Sequence, residues 1–553
     1  MSPTYPEVVA ALTAPGAPFE LVTERVNGLE MEVFKQRFGS LRQVLEHSKQ
    51  FGDDPLAVWD TGVRWSFADH YQRVASVAAA FAERHGIRKG SRVAILGANS
   101  PEWVLAAWAT LVHGGVVVAM NGWWQGDEIR YGLDLGDPEL LVVDRARLAR
   151  LEGTPPGVPT IVMEDEFAAY EHHDLGAALP DTPIDEDDLA SIMFTSGTTG
   201  RPKGAICTHR NYIAFLSMNF CNGAIGRLVN PPKEDLGPPV SVIASPLFHV
   251  SGFQSALLMG PATGMKYVWT TGRFDPEKIM RLTHEEGITR WGGITTQLWR
   301  LLEHPDFEPE RYRQVRSTGG GGSVFSPELQ RVVREKLPQA AGEFNVGYGS
   351  TETAGLCTMA TGDLLEQDPT TVGRALPSAS VAIFDDEGRR LPDGEDGNIC
   401  CRGPMVTPGY WRNDKATAET FFEDGWLRIG DIGCMRDGLL FLASRKRDMI
   451  IRGGENIYPI EIENRLEEHP DVSEAAVVGV DHRTLGQEVK AFVVLREGAK
   501  LDPETLKPFI AETLAYFKVP EYFEAHPDAL PRNAAGKVLK NVLLGDENQF
   551  SEE

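Results

Sequence analysis

The sequence predicts an α/β protein. A large N-terminal domain of parallel or mixed sheets layered with helices, with a β-rich part towards its end, is followed by a small α+β domain. Short apolar runs alternate with amphipathic helical stretches, the pattern of a sheet with helices on its faces. At 553 residues the chain exceeds what one hydrophobic core usually spans. SRKRDMIIRGGENIYPIEIE (444–463), dense in charge and glycine, separates this pattern from a smaller one that follows it. These observations set the domains at 1–446 and 447–553.

Residues 1–60 are weakly patterned. Tyr71, Val74, Ala75, Ala78, Phe81 and Ala82 recur at helical spacing, and Gly86 stops that helix. RVAIL (92–96) reads as a strand, a helix starts at Pro101, VVVAM (116–120) is a strand, a helical stretch starts at Asp127, and ELLVVD (139–144) is a strand. Residues 151–188 are irregular and acidic, and their last residues, IDEDD (184–188), read as a solvated face. VSVIASPLFHVSGF (240–253) and KYVWT (266–270) precede helices at 275–287, through Leu302, and at 327–337. After Pro369 the pattern is β-like and rich in turns. In the small domain, AAVVGV (475–480), KAFVVL (490–495) and EYFEA (521–525) are strands, with a helix at 503–517.

Composition narrows the function classes. Hydrophobic content of 42% and charged content of 24% are those of a soluble globular protein. A net charge of −25 repels nucleic acid and anionic lipid, so neither is an expected partner. The six cysteines all follow residue 206, and no pair has Cys-x-x-Cys spacing. That excludes a zinc framework and a disulfide scaffold and suggests a reducing compartment, hence a cytoplasmic protein. The N-terminus lacks the basic and apolar regions of a signal peptide. The apolar stretch from Val104 to Met120 carries His113 and a glycine pair, and suits a buried helix and strand better than a membrane anchor. An acidic chain of this kind leaves monomer and homodimer both open.

The richest chemistry lies in SIMFTSGTTGRPKG (191–204). An apolar strand gives way to Thr195, Ser196, Gly197, Thr198, Thr199 and Gly200, and then to Lys203. Small residues let backbone N–H groups approach a polyanion, and the hydroxyls and the lysine add donors and charge. This is a phosphate cradle in outline, though a plain surface loop has a similar composition. It is not a Walker A loop, because no Gly-Lys-Ser/Thr closes it.

TSGTTGRPKG, YGSTE (348–352), GWLRIGDIG (425–433), SRKRDMIIRGGENIYP (444–459) and PRNAAGKVLK (531–540) stand in the order and spacing of the adenylate-forming acyl-CoA synthetase superfamily, which the chain resembles over most of its length. The resemblance implies an acid–thiol ligase. A carboxylate would attack the α-phosphate of ATP, giving acyl-adenylate and pyrophosphate, and coenzyme A would then displace AMP. It also implies the roles. The loop from Thr195 to Lys203 and Gly320 would line the ATP site. Thr351 would bond phosphate, Glu352 would ligate Mg²⁺, and Tyr348 with Gly349 would hold adenine. Asp431 would bind the ribose, with Arg445 nearby, and Lys537 would reach the α-phosphate and the substrate carboxylate. His249 matches a position beside the acyl pocket, although a core histidine fits it equally. Arg447 stands at the hinge of a mobile small domain, and Gly453 and Gly454 form the loop expected on the coenzyme A side.

Three positions depart from the family pattern. Ser444 stands where Gly is usual, Arg447 where Lys or Asp is usual, and Asn533 where Thr or Ser is usual. Trp291, Phe248, Phe253 and Leu298 are candidate walls for the acyl pocket, and the glycines at 319–322 hint at a roomy one. The expected substrate is a medium- or long-chain fatty acid, or a bulky aryl or alicyclic acid. Two alternatives stay open. One is an acyl-AMP ligase that passes the acyl group to a separate carrier protein or forms a β-lactone. The other is a non-catalytic nucleotide sensor, which should have lost Lys537, Glu352 or Asp431.

Overall fold

Two sheets dominate the computed structural model, which describes residues 3–195, 202–231, 237–272, 274–293, 295–322, 325–445, 448–453, 455–533 and 536–546. The first has six strands in the order Lys203–Thr208, Leu189–Thr195, Val116–Ala119, Arg92–Leu96, Leu140–Val143, Thr160–Val162. All its pairs are parallel except the outermost, where Lys203–Thr208 runs back along Leu189–Thr195. Val116–Ala119 and Leu140–Val143 are buried along their whole length. This is why they read as continuous apolar runs rather than alternating ones.

The second sheet has 13 strands. Its parallel part runs through Pro55–Trp59, Lys266–Trp269, Val240–Ile243, Arg290–Gly292, Ser317–Gly321 and Asn345–Tyr348. Beyond Asn345–Tyr348 the pairing turns antiparallel, through Thr358–Thr361 and Thr371–Ala375 to Leu439–Arg445. That is the β-rich part foreseen after Pro369.

The helices begin and end where local chemistry directs. Phe67–His85 starts on Ser66, whose hydroxyl accepts from the Asp69 N–H, and stops at Gly86 with φ 67°. Pro276–Glu286 starts on Asp275 and ends at Gly287 with φ 69°. Such polar N-caps and left-handed glycine C-caps satisfy the end groups that a helix cannot bond internally. The small sheet pairs Val472–His482 with Gly486–Leu495 antiparallel, and Tyr522–Ala525 joins the latter in parallel. Its core includes Ile462, Leu466, Val477, Val489, Ala491 and Ile510.

Three expectations change. The helix expected over 503–517 is Pro503–Ala511, followed by a 3₁₀ turn at Tyr516–Lys518. The chain leaves the helix so that Leu514, Phe517 and Val519 can pack on the small core. The acidic run at 184–188 is not merely solvated. Glu186 joins Arg37 at 2.7 Å and also pairs with Arg210, while Asp188 holds Lys89 at 2.6 Å. The glycine run is set first by strand packing. A side chain at Gly319 or Gly320 would lie 2.0 Å from the Asn345 carbonyl oxygen or 2.2 Å from that of Gly293. These glycines let neighbouring strands approach closely.

All six cysteines are free and buried. Among the described residues no helix is long and apolar enough to cross a membrane.

Candidate active site

In parallel α/β sheets, ligands gather beyond the carboxyl ends of the strands. Thr195, Gly320 and Tyr348 stand at or near such ends. The long Gly/Ser/Thr loop joins two antiparallel strands, with Thr195 opposite Lys203 where the ladder closes. The strand Lys203–Thr208 leads into a helix that begins at His209. Ser196, Gly197, Thr198, Thr199, Gly200, Arg447 and Gly454 lie outside the described residues.

The YGSTE segment turns sharply after Asn345–Tyr348. Ser350 N–H donates to Thr353 Oγ1 at 2.9 Å, and Gly355 N–H donates to the Ser350 carbonyl at 2.8 Å. A side chain on Gly349 would meet the Leu356 nitrogen at 2.6 Å, so the loop closes only on glycine. This turn presents Thr351 and Glu352, both half-buried. Glu352 is fixed at both ends. Its carbonyl accepts from Thr407 N–H at 2.8 Å, and its carboxylate Oε1 accepts from the Tyr410 hydroxyl at 2.7 Å. Its other carboxylate oxygen has no partner among the described residues. Lys203 Nζ lies 5.1 Å from the centre of the Tyr410 ring.

The Tyr348 hydroxyl donates to Asp431 Oδ2 at 2.8 Å. Burial and the Asp431 carboxylate push the Tyr348 phenol well above its ordinary value, so it stays a donor. Asp431 pairs with Arg445 in the strand register, which places the two backbones side by side.

His249 caps a short helical stretch that continues as a π-helix, Phe253–Leu258. Its Nε2 is buried and has no hydrogen-bond partner among the described residues. Burial, with Lys537 adding to the effect, pulls its ring down to about 4, so it is neutral at physiological pH. Lys537 therefore stands within electrostatic reach of His249. The turn that carries Lys537 is closed by Asn533, whose Oδ1 accepts the Lys537 N–H at 3.0 Å. The Asn533 departure thus leaves a side-chain acceptor in place. Gly453 adopts φ +60° and donates its N–H to the Leu485 carbonyl at 2.8 Å.

Beside Gly319 lies a small cleft. Phe274, Ile279, Trp291, Leu298, Leu301 and Phe325 give it apolar walls. Among the described residues, Gln297 and Thr318 are its only polar side chains, and no charged residue lines it. Of the candidate wall residues, Trp291 and Leu298 border it. Phe253 instead stacks on Tyr212 in the core at 5.1 Å, and Phe248 packs beside His249 at 4.8 Å. Gly292 opens onto the cleft, and a side chain there would meet nothing within 4 Å.

Sequence reasoning missed Tyr410, which touches both ends of the phosphate region. Its only signal is a glycine before an aromatic residue, which marks a turn rather than a site. Gln254, buried against Gly355 with Oε1 unpaired among the described residues, was also missed.

Comparison with known proteins fits this geometry. Residues 44–411 match the model of the AMP-binding enzyme family, and residues 461–537 match that of the AMP-binding enzyme C-terminal domain. The long-chain-fatty-acid–CoA ligase of Bacillus subtilis is 31% identical over 92% of this chain and 95% of its own. An octahydroindenyl-propanoyl:CoA ligase of Rhodococcus jostii is 32% identical over 90% of this chain and 96% of its own. The structure of o-succinylbenzoate CoA synthetase from Bacillus subtilis, in complex with its acyl-adenylate intermediate, superposes with TM-score 0.77 at 28% identity. It covers 93% of this chain and 100% of that one. The chain belongs to the AMP-binding enzyme family, the adenylate-forming superfamily of the acyl-CoA synthetases.

Proposed function

We propose that this protein joins a carboxylic acid with an uncharged, largely apolar tail to coenzyme A at the expense of ATP. It is an AMP-forming acid–thiol ligase, and its relatives in the family act on fatty, aryl-containing and alicyclic acids. The observation that carries the substrate class is the cleft beside Gly319, with apolar walls and, among the described residues, no charged side chain. An acid with a second carboxylate in its tail would have to bury that charge unpaired there, which is costly.

In the first step a carboxylate oxygen attacks the α-phosphorus of ATP and the bond to pyrophosphate breaks. Two anions must meet, so cations and donors aimed at the phosphate oxygens supply the main assistance. Lys203, Thr351 and the 195–200 loop hold the phosphates in this reading. Tyr348 and Asp431 hold the nucleoside, and Lys537 bridges the α-phosphate and the substrate carboxylate. His249, neutral and buried, lines the path of the carboxylate. In the second step the thiol sulfur attacks the acyl carbon and AMP leaves. The small domain, with its boundary near 447, turns to present the Gly453–Gly454 loop for that step.

Magnesium fits the donor set. Glu352 keeps one carboxylate oxygen without a partner among the described residues, and a hard cation bound to phosphates needs only one or two carboxylates. When bound, it neutralises phosphate charge.

The test offers the enzyme paired acids of equal length, one with a methyl terminus and one with a terminal carboxylate, with ATP, Mg²⁺ and coenzyme A. The reading expects thioester from the methyl-ended acid and little from its partner. Preference for the dicarboxylate would overturn the assignment of the cleft.

A further inference from the structure

Lys203 and Glu352 approach the same region with opposite charges, yet no ion pair joins them among the described residues. Tyr410 stands between them. Its hydroxyl takes Glu352 Oε1 at 2.7 Å, and its ring lies 5.1 Å from Lys203 Nζ. A direct ion pair would spend both charges on each other. Instead the carboxylate keeps one oxygen for a ligand, and the ammonium rests on an aromatic face that offers it no hydrogen bond.

Tyr410 is held firmly enough to do this. Ile206 N–H donates to the Gly409 carbonyl at 3.0 Å, and Trp411 N–H donates to that of Gly204 at 2.8 Å. Tyr410 N–H donates to Thr417 Oγ1 at 2.9 Å. Gly409, at φ +147°, has Thr417 against it so closely that a side chain there would lie 2.5 Å from its methyl group. Asn211 Nδ2 donates to the carbonyls of Pro404 and Val406, each at 2.9 Å. The segment from Pro404 to Trp411 thus straps the strand carrying Lys203 to the turn carrying Glu352.

We propose that Tyr410 is a positioning residue. It keeps Lys203 and Glu352 from neutralising each other and aims the free Glu352 oxygen at the cation that accompanies ATP. This rests on the ATP-site reading above. The division of labour is specific, since the hydroxyl orients the carboxylate while the ring restrains the lysine.

Tyr410→Phe keeps the ring and removes the hydroxyl, and Tyr410→Leu removes both. Mn²⁺ binding to the ATP complex, followed by electron paramagnetic resonance, reads the carboxylate. Metal-free ATP binding by calorimetry reads the lysine. The proposal expects Tyr410→Phe to weaken Mn²⁺ by about 10–100-fold, the effect typical of losing a group that orients a metal ligand. Metal-free ATP affinity should then be unchanged in Tyr410→Phe and altered only in Tyr410→Leu. In a Glu352→Gln background, Tyr410→Phe should cause no further loss of Mn²⁺ affinity, because the two act as one unit.

Unchanged Mn²⁺ affinity in Tyr410→Phe, or losses that add in the double variant, would overturn the proposal. Should Tyr410→Phe melt early, the same cycle run at low temperature on its folded fraction decides by additivity alone. If the wild-type protein binds ATP and Mn²⁺ but forms no acyl-adenylate with any acid, the ligase reading fails, and the binding cycle still decides the role of Tyr410.

Discussion

The Tyr348 hydroxyl donates to the Asp431 carboxylate at 2.8 Å, joining two motifs 83 positions apart. Tyr348 ends a strand of the parallel sheet, and Asp431 sits in the antiparallel part. Their bond ties the expected base site to the expected ribose site. Tyr348→Phe keeps the ring and removes this donor. A hydrogen bond to a charged group contributes about 1.5–3 kcal/mol. AMP binding by calorimetry should weaken by about tenfold or more, and an unchanged dissociation constant would show that the bond does not order the nucleoside site.

His249 is neutral until about pH 4, because burial and Lys537 disfavour its charged form. Its contribution to stability is present above the ordinary histidine value near 6.5. It is lost as pH falls from there through about 4, where the native ring also protonates. Between pH 5 and 8 the adenylation rate should therefore carry no ionisation due to this ring. A limb near pH 6.5 that disappears in His249→Gln would contradict the buried, neutral state.

Gly292 and Gly320 lie on adjacent strands and should respond oppositely to added bulk. A side chain at Gly292 meets nothing within 4 Å, whereas one at Gly320 lies 2.2 Å from a carbonyl oxygen. Gly292→Val should fold normally and raise KM for bulky acids while leaving KM for ATP unchanged. Gly320→Ala should lower stability by about 1–3 kcal/mol through overpacking. Melting curves and paired KM values check both. A Gly292→Val enzyme with an unchanged KM for every acid would place the tail elsewhere.

Glu467 ends the helix Pro459–Glu467 and faces the Ser326 hydroxyl, the cap of Pro327–Lys336 in the large domain. Burial first, then the nearby Glu463 and Glu474, push it up to about 7, while Ser326 and Arg532 oppose that shift. A carboxyl raised in this way stabilises the docked arrangement fully below its ordinary value of 4.5, and the contribution fades as pH rises through about 7. The melting temperature should therefore drift downward across that window, and Glu467→Gln should flatten the drift. An identical slope in the variant would show that Glu467 does not titrate at this contact.

Alternation of strands and helices was legible because parallel strands buried on both faces are continuous apolar runs, as at Val116–Ala119. Caps such as Asp275 and Gly287 mark helix ends locally. What could not be read depends on distant partners. Glu186 looks solvated until Arg37, 149 positions away, packs against it. Gly319 and Gly320 look like spare room until the neighbouring backbones occupy it. The motif residues Glu352, Asp431 and Lys537 were found through resemblance. Tyr410 was not, because its meaning lies in a contact with Glu352 across 58 positions.

The central claim is that this chain activates a carboxylic acid as its adenylate and passes it to coenzyme A. Mass spectrometry of the products tests it most directly, with ATP, Mg²⁺, coenzyme A and a panel of straight-chain, aryl and alicyclic acids, for the wild type and Lys537→Ala. The account predicts acyl-CoA and AMP from one class of acid. It also predicts adenylation at least about 10²-fold slower in Lys537→Ala, since one such donor supplies about 2.7–4 kcal/mol. Tight ATP binding with no AMP released for any acid, or an undiminished rate in Lys537→Ala, would contradict it.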